Sequence, residues 1–148
     1  LANGGALMKP YIVEEIRYPD GRVEKREPTM VRRVVSERTA TLVSGMLVSV
    51  VRNGHGKRAD VAGYTVGGKT GTAQIARRDG PGYEVGANIG SFIGYAPIED
   101  PKFVMLTKID RPKDVQFAES SAAPLFGTIA KFLLEYYKVP LSELNTSN

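Results

Sequence analysis

The 148-residue sequence contains no cysteine and only one histidine, His55. Without cysteine the protein can form no disulfide and has no thiol nucleophile, and a structural zinc site would lack its commonest ligands. No run of about 18 apolar residues is present, so the sequence predicts no membrane-spanning helix. The net charge of +4 comes from basic residues scattered among acids, which is unlike the clustered patch of a nucleic-acid-binding protein. We therefore expect one globular domain without a metal, a cofactor or a nucleic-acid partner.

The single histidine is the only side chain that could act as the imidazole base of a serine–histidine pair. It lies between Gly54 and Gly56, in a glycine-rich segment that is typical of a turn. Solvated histidines are common in such turns, so the sequence favours a loop residue over a catalytic base.

A glycine-rich stretch in the middle of the sequence, residues 67–74, combines one cation, two hydroxyls and three glycines with no acid. The residues on either side are β-branched or aromatic, which predicts a strand over residues 64–76. Glycine inside a strand is unfavourable by roughly 0.5–1 kcal/mol relative to alanine. Three glycines in one short strand therefore indicate that these positions serve a function other than the stability of the strand.

Side chains alternate between the two faces of a strand. Thr70, Thr72 and Gln74 are accordingly expected on one face, and Lys69 and Gly71 on the other. A glycine gap lets another backbone approach closely, and an ammonium with two hydroxyls suits a negative charge. The pattern predicts an extended ligand that ends in a carboxylate and binds as an added strand.

Two other interpretations of this stretch stay open. One is a surface edge strand with a solvated lysine, which needs no special function. The other is a phosphate-binding loop, because Gly63 to Thr70 matches G-x-x-x-x-G-K-[ST]. That loop needs an apolar strand before it and a helix after it. The preceding segment is polar, and Gly80-Pro81 would break a following helix, so the context weighs against nucleotide binding.

The rest of the sequence predicts an α+β fold in which an antiparallel three-strand meander is flanked by helices. Residues 86–96 and 102–110 are the predicted second and third strands, and their short links imply antiparallel neighbours. The third strand is nearly all apolar, which predicts burial on both faces. Apolar residues recur at helical spacing over 39–52, after the expected cap Ser36, and over 121–137.

The sequence divides into three expected parts along its length. These are a linker with a small hairpin over 1–35, the helix, three strands and C-terminal helix over 36–140, and a frayed tail over 141–148. Asp20-Gly21 is the turn signal of the hairpin, between β-prone segments at 11–17 and 22–27.

Two motifs in this order resemble the C-terminal half of the transpeptidase domain of penicillin-binding proteins. They are Lys69-Thr70-Gly71-Thr72-Ala73-Gln74 and Ser91-Phe92-Ile93-Gly94-Tyr95-Ala96-Pro97. Leu1-Ala2-Asn3-Gly4-Gly5 with Lys9-Pro10 is similar to the segment upstream of this strand in the family, so the likeness covers nearly the whole sequence. The Thr-Ala-Gln ending resembles the monofunctional, class B members, which act in cell elongation, division or sporulation. The resemblance implies a fold like that of penicillin-binding proteins and β-lactamases, with residues 1–148 as the C-terminal half of one domain.

The family has three motifs, Ser-x-x-Lys, Ser-x-Asn and Lys-Thr-Gly, and only the third is present in this sequence. No serine is followed by lysine three residues later, and none begins Ser-x-Asn. Both missing motifs lie upstream in the family. We therefore expect the nucleophile upstream of Leu1, and we expect this chain alone to be inactive.

The resemblance also implies roles for residues of the predicted strand. An intact enzyme acylates its serine with a peptidoglycan stem peptide ending in D-Ala-D-Ala and passes the acyl group to an amine, and β-lactams mimic the dipeptide. Lys69 would supply positive field near the ligand carboxylate, which Thr70 and Thr72 would hydrogen-bond. The backbone N–H of Thr72 would be one of two oxyanion donors. Gly71 and Gln74 would belong to the substrate-binding strand.

The implied partners are the stem peptide, β-lactams and the N-terminal half of the domain, in the same or a separate chain. The implied location is the extracytoplasmic face of the bacterial cell membrane, with an anchor outside this chain. A rival function from another class is a sensor module on the same fold, which would be acylated without turning over.

Overall fold

A computed structural model of the protein describes residues 1–142. Within that range, seven strands and two α-helices follow one another. Their bounds are β1 (Ala6–Met8), β2 (Glu15–Arg17), β3 (Val23–Lys25), β4 (Met30–Arg33), α1 (Glu37–Asn53), β5 (Gly67–Ala76), β6 (Tyr83–Ala96), β7 (Phe103–Asp110) and α2 (Ala122–Tyr136). Two 3-10 turns precede β5 and α2, at Lys57–Ala59 and Ala118–Ser120.

The main sheet has the strand order β5-β6-β7, with both pairs antiparallel. This is the predicted three-strand meander, and the α+β fold class is confirmed. The strands differ from the prediction mainly where they start. β5 begins at Gly67 and not at residue 64, and β6 begins at Tyr83 and not at residue 86.

The N-terminal region forms two further two-stranded sheets. β2 and β3 are the predicted hairpin, although each has only three residues. β1 and β4 also pair, with Ala6 opposite Arg33, and the sequence did not predict them. They enclose the hairpin, so no short turn signal joins them.

The first helix lies against one face of the main sheet. Its cap is as predicted, because the Ser36 hydroxyl accepts a hydrogen bond from the Thr39 N–H at 3.1 Å. On its inner side, the buried Ser44 hydroxyl lies 2.6 Å from the hydroxyl of Tyr95 on β6. This bond satisfies two polar groups inside the core and joins α1 to the sheet.

The second helix packs on the opposite face of the sheet. Phe92 of β6 and Phe126 of α2 are both fully buried, with ring centroids 4.7 Å apart and planes inclined at 57°. The Thr107 hydroxyl on β7 donates to the C=O of Ala122 at 2.8 Å, at the start of the helix. An aromatic pair of this kind contributes about 0.5–1.5 kcal/mol beyond its buried area. The start of α2 is thereby fixed over the sheet.

The third strand of the sheet is buried on one face only, so the expectation of burial on both faces is wrong. Val104 and Leu106 are each 61% exposed, and Ile93 beside them on β6 is 52% exposed. Their apolar character predicted burial, but α1, which lies on the same face of the sheet, leaves these three positions more than half exposed within residues 1–142. We call these three residues the open apolar face.

The end of the described region is tied to the domain, because the N–H of Ser142 donates to the C=O of Gly63 at 2.9 Å. The frayed tail was predicted over 141–148, and residues 143–148 of it lie outside the described residues. No helix in the described part of the protein is long and apolar enough to cross a membrane.

Candidate substrate-binding strand

The strand that carries Lys69 to Gln74 lies at the edge of the main sheet. β5 pairs with β6 on one side, and no strand of residues 1–142 pairs with its other side. An unpaired strand edge presents a row of N–H and C=O groups to an incoming peptide. The edge of β5 is therefore open for backbone hydrogen bonds to a ligand.

The direction of those groups follows from the contact between Gly71 and Ser91. The two residues are opposite each other, and the Ser91 hydroxyl donates to the C=O of Gly71 at 3.2 Å. The C=O of Gly71 thus points toward β6. Neighbouring residues of a strand point their backbone N–H and C=O groups to opposite edges. The N–H and C=O groups of Thr70 and Thr72 therefore point to the open edge of β5.

The same contact explains why residue 71 is glycine. A Cβ at this position would lie 2.7 Å from the Ser91 Oγ, closer than a carbon and an oxygen can approach without movement. Serine on the facing strand and glycine in the motif therefore fit each other.

The only cation of the strand lies beside a hydroxyl. The Cβ atoms of Lys69 and Thr70 lie on opposite faces of the strand. The Lys69 side chain nevertheless bends toward Thr70, and its ammonium donates to the Thr70 C=O at 2.9 Å and to the Thr70 Oγ1 at 3.1 Å. Lys69 is exposed and forms no ion pair with an acid of the described residues. An ammonium and a hydroxyl at one open edge can bind a carboxylate.

The second threonine of the motif has a partner that the sequence did not predict. The backbone N–H of Ala118 donates to the Thr72 Oγ1 at 3.2 Å. Ala118 belongs to the 3-10 turn before α2, far from β5 in the sequence. A sequence signal did exist, because Gly90 is opposite Thr72 and lacks a side chain where this turn approaches.

The last predicted site residue, Gln74, is exposed on the same face as Thr72. It lies opposite Asn88, whose buried Oδ1 has no hydrogen-bond partner in the described part of the protein. Gln74 itself forms no hydrogen bond with the other predicted site residues. The structure thus brings Lys69, Thr70 and Thr72 together and leaves Gln74 at the far end.

The loop between β5 and β6 is a solvated turn. Arg77 donates to both carboxylate oxygens of Asp79, at 3.0 and 3.2 Å, and this contact lowers the pKa of Asp79. Beyond the turn, Arg111 donates to the carboxylate of Glu84 at 2.9 Å, which raises the pKa of Arg111. These charges are paired with each other and are not directed at the strand.

The single histidine lies away from the strand, in the loop after α1. Its Nδ1 is 2.6 Å from the Oε2 of Glu119, and its side chain is 83% exposed. His55 makes no hydrogen bond with a residue of β5. The structure agrees with the prediction of a solvated loop residue.

The phosphate-binding loop is excluded by the conformation of the residues that match its pattern. Such a loop must lead into a helix whose first N–H groups hold the phosphates. Residues Gly67–Ala76 form a β-strand instead, so the pattern match with Gly63 to Thr70 is coincidental.

The family model of the penicillin binding protein transpeptidase domain matches residues 1–131. The chain belongs to this family.

Two curated relatives show how much of a transpeptidase sequence is present. Stage V sporulation protein D of Bacillus subtilis is 44% identical over 132 residues, which are 87% of this chain and 20% of that protein. Penicillin-binding protein PbpB of Mycolicibacterium smegmatis is 38% identical over 151 aligned residues, which cover 96% of this chain and 23% of that protein. The chain therefore spans about a fifth of the length of these relatives.

Solved structures give the same result for the fold. Penicillin binding protein 3 of Mycobacterium tuberculosis complexed with ampicillin has a TM-score of 0.85 and 33% identity, and the match covers 97% of this chain and 34% of that one. The apo form of the same protein has a TM-score of 0.84 and 35% identity. The expected likeness to a penicillin-binding-protein transpeptidase fold is confirmed.

Proposed function

We propose that this chain is the substrate-binding half of a serine D,D-transpeptidase that cross-links peptidoglycan stem peptides and binds β-lactams. The observation that carries the proposal is the open edge of β5, where the Lys69 ammonium and the hydroxyls of Thr70 and Thr72 lie on one short segment. The family membership and the ampicillin complex of a related protein support it.

In this proposal the carboxylate of a D-Ala-D-Ala terminus binds beside the Lys69 ammonium. The Thr70 and Thr72 hydroxyls donate to it, because a charged acceptor strengthens such bonds. The backbone N–H of Thr72 faces the same edge, so it is placed to stabilise the oxyanion of the acyl-transfer step. One such donor is worth about 10²–10³-fold in rate.

The body of the stem peptide would lie along the open edge as an additional strand. Backbone groups supply affinity in this mode, and side chains at alternate positions supply specificity. Gly71 keeps the edge free of a side chain beside the scissile bond, and Gln74 would contact the substrate farther along the strand.

The nucleophilic serine lies outside these 148 residues, because no Ser-x-x-Lys or Ser-x-Asn sequence is present. We propose that the half of the domain that carries both motifs packs on the open apolar face. Val104, Leu106 and Ile93 are more than half exposed there, and apolar surface of this kind marks an interface. The same half would bring its serine to the edge of β5.

Stem peptides are assembled into the cell wall outside the cytoplasm, so the proposed site of action is the extracytoplasmic face of the bacterial membrane. A relative in Mesostigma viride, 31% identical over 96% of this chain, is named Peptidoglycan D,D-transpeptidase FtsI homolog, and this name supports a role in peptidoglycan synthesis.

The test is turnover by the complete domain, meaning these residues joined to the half that carries the two other motifs. Incubated with a pentapeptide ending in D-Ala-D-Ala and an amine acceptor, it should release D-alanine and form the cross-linked product, both detectable by mass spectrometry. A sensor module would be acylated by penicillin but would give no cross-linked product. Absence of acylation by either compound would contradict the proposal.

A further inference from the structure

The 3-10 turn before α2, at Ala118–Ser120, contacts the motif strand through one backbone group. The N–H of Ala118 donates to the Thr72 Oγ1 at 3.2 Å, and no other acceptor of this N–H is found among the described residues. Ala118 is 1% exposed. This hydrogen bond is the one direct polar contact between that turn and β5 within residues 1–142.

The turn can approach the sheet so closely because the residue below it is glycine. A Cβ at Gly90 would lie 2.5 Å from the Ser121 Oγ and 3.3 Å from the Ala118 Cα. Gly90 is directly opposite Thr72 in the register of β5 and β6. Because Gly90 has no side chain, the turn can come close enough to β6 for the Ala118 N–H to reach Thr72.

Two further hydrogen bonds fix the turn and the residue after it. The Ser121 hydroxyl donates to the C=O of Phe117 at 3.2 Å and closes the turn on itself. The Thr107 hydroxyl donates to the C=O of Ala122 at 2.8 Å and fixes the residue that follows. The position of the Ala118 N–H is thus held by the turn's own hydrogen bond and by the sheet at Ala122, and Glu119 of the turn also pairs with His55.

We infer that the backbone N–H of Ala118 positions the Thr72 hydroxyl so that its proton points to the carboxylate of the ligand. A threonine hydroxyl has one proton and two lone pairs. When one lone pair accepts from Ala118, χ1 of Thr72 is held in one rotamer and the proton must point elsewhere. This inference rests on the proposed function, and it makes Ala118 a positioning residue that does not touch the ligand.

The conformation of the turn allows this single hydrogen bond to be deleted. Phe117 is extended, with φ −110° and ψ 148°, as a residue before proline must be. Ala118 is the first residue of the turn, where proline is well accepted. Ala118→Pro in the complete domain removes the N–H and places the ring Cδ against the Thr72 Oγ1, so the hydroxyl must leave its present position. Ala118→Gly is the matched control because it changes the side chain but keeps the N–H.

The measurement is the rate of acylation by benzylpenicillin and by its methyl ester, which lacks the negative charge. Without the bond, Thr72 can occupy about three staggered rotamers instead of one. We expect Ala118→Pro to slow acylation by the acid about three- to tenfold and to leave the rate with the ester unchanged. Ala118→Gly should react with both compounds at nearly the rate of the unaltered domain.

A second comparison asks whether the N–H acts through Thr72. In a Thr72→Ala background, which removes both the hydroxyl and the side-chain atom beside residue 118, Ala118→Pro should slow acylation by the acid no further. If the Ala118→Pro protein does not melt cooperatively, Gly90→Ala is measured instead. The new Cβ pushes the turn away from β6 and should slow acylation by the acid without slowing acylation by the ester.

The inference is overturned if Ala118→Pro and Ala118→Gly react alike, if the ester is slowed as much as the acid, or if the loss persists in the Thr72→Ala background. These results leave the proposed function intact, because the unaltered domain is still acylated. If the unaltered domain is not acylated at all, the proposed function fails and the inference fails with it.

Discussion

The Ser91 hydroxyl donates to the backbone carbonyl of Gly71 at 3.2 Å, across the two strands that carry the recognisable motifs of this protein. The contact turns the carbonyl of Gly71 toward β6 and leaves the groups of its neighbours, Thr70 and Thr72, at the open edge. The two motifs are therefore parts of one structure, in which the second strand determines how the first presents its hydrogen-bonding groups.

The first prediction is that Gly71→Ala in the complete domain impairs both packing and acylation. Its Cβ would lie 2.7 Å from the Ser91 Oγ, and overpacking of this kind destabilises by about 1–3 kcal/mol. Thermal unfolding and the rate of acylation by benzylpenicillin are the two measurements. Adding Ser91→Gly should restore the melting temperature and leave acylation slow, because the edge still carries a side chain. A Gly71→Ala protein that is unchanged in both respects would show that the close contact is unimportant.

The second prediction concerns the carboxylate-binding residues. Thr70→Val keeps the shape of the side chain and deletes its hydroxyl, and a hydrogen bond to a charged group contributes roughly 1.5–3 kcal/mol. Acylation of the complete domain should slow about ten- to a hundredfold if this bond acts in the transition state. Lys69→Ala should slow it at least as much, because the cation is lost. Lys131→Ala is the matched control, since Lys131 lies on α2 with its side chain 67% exposed. Acylation that is unaffected by Thr70→Val would remove Thr70 from the site.

Much of this site could be predicted from sequence because it lies on one strand. Alternation along β5 predicted the shared face of Thr70 and Thr72, and the glycine at position 71 predicted a close approach. Gly90, opposite Thr72, signals that something approaches closely there, but it does not identify Ala118, which is distant in the sequence and contributes only a backbone N–H. Such a group leaves no signature in its own side chain.

The third strand shows a different limit of sequence reasoning. Val104 and Leu106 are as apolar as residues buried on both faces, and composition alone cannot say which part of a protein covers them. In this chain they are exposed. If the other half of the domain packs there, as we propose, Val104 and Leu106 become buried as their apolar pattern predicted.

The third prediction is that His55 has no catalytic role. Its side chain is 83% exposed and pairs only with Glu119 among the described residues, and exposed ion pairs contribute about 0–1 kcal/mol. His55→Ala should change the acylation rate of the complete domain by less than about threefold and its unfolding free energy by less than about 1 kcal/mol. Loss of most of the acylation activity would instead point to a base of the kind found in serine–histidine pairs.

The fourth prediction concerns the open apolar face. Expressed alone, the chain should bind a hydrophobic dye and lack a sharp melting transition, because Ile93, Val104 and Leu106 remain uncovered. In the complete domain Leu106→Glu should destabilise by several kcal/mol, since a buried unpaired carboxylate is strongly unfavourable. Gln116→Glu, at an exposed position of the loop after β7, is the control because it adds the same single negative charge. A lone chain that melts cooperatively without dye binding would count against this view of the interface.

The central claim is that this chain supplies the substrate-binding strand and that another part of the domain supplies the nucleophile. Intact-protein mass spectrometry with benzylpenicillin tests it most directly, on the lone chain and on the complete domain in parallel. We expect no covalent adduct on the lone chain, and one penicilloyl group on the complete domain, attached to a serine outside these 148 residues. An adduct on any serine of the lone chain, or a complete domain that is never acylated, would contradict it.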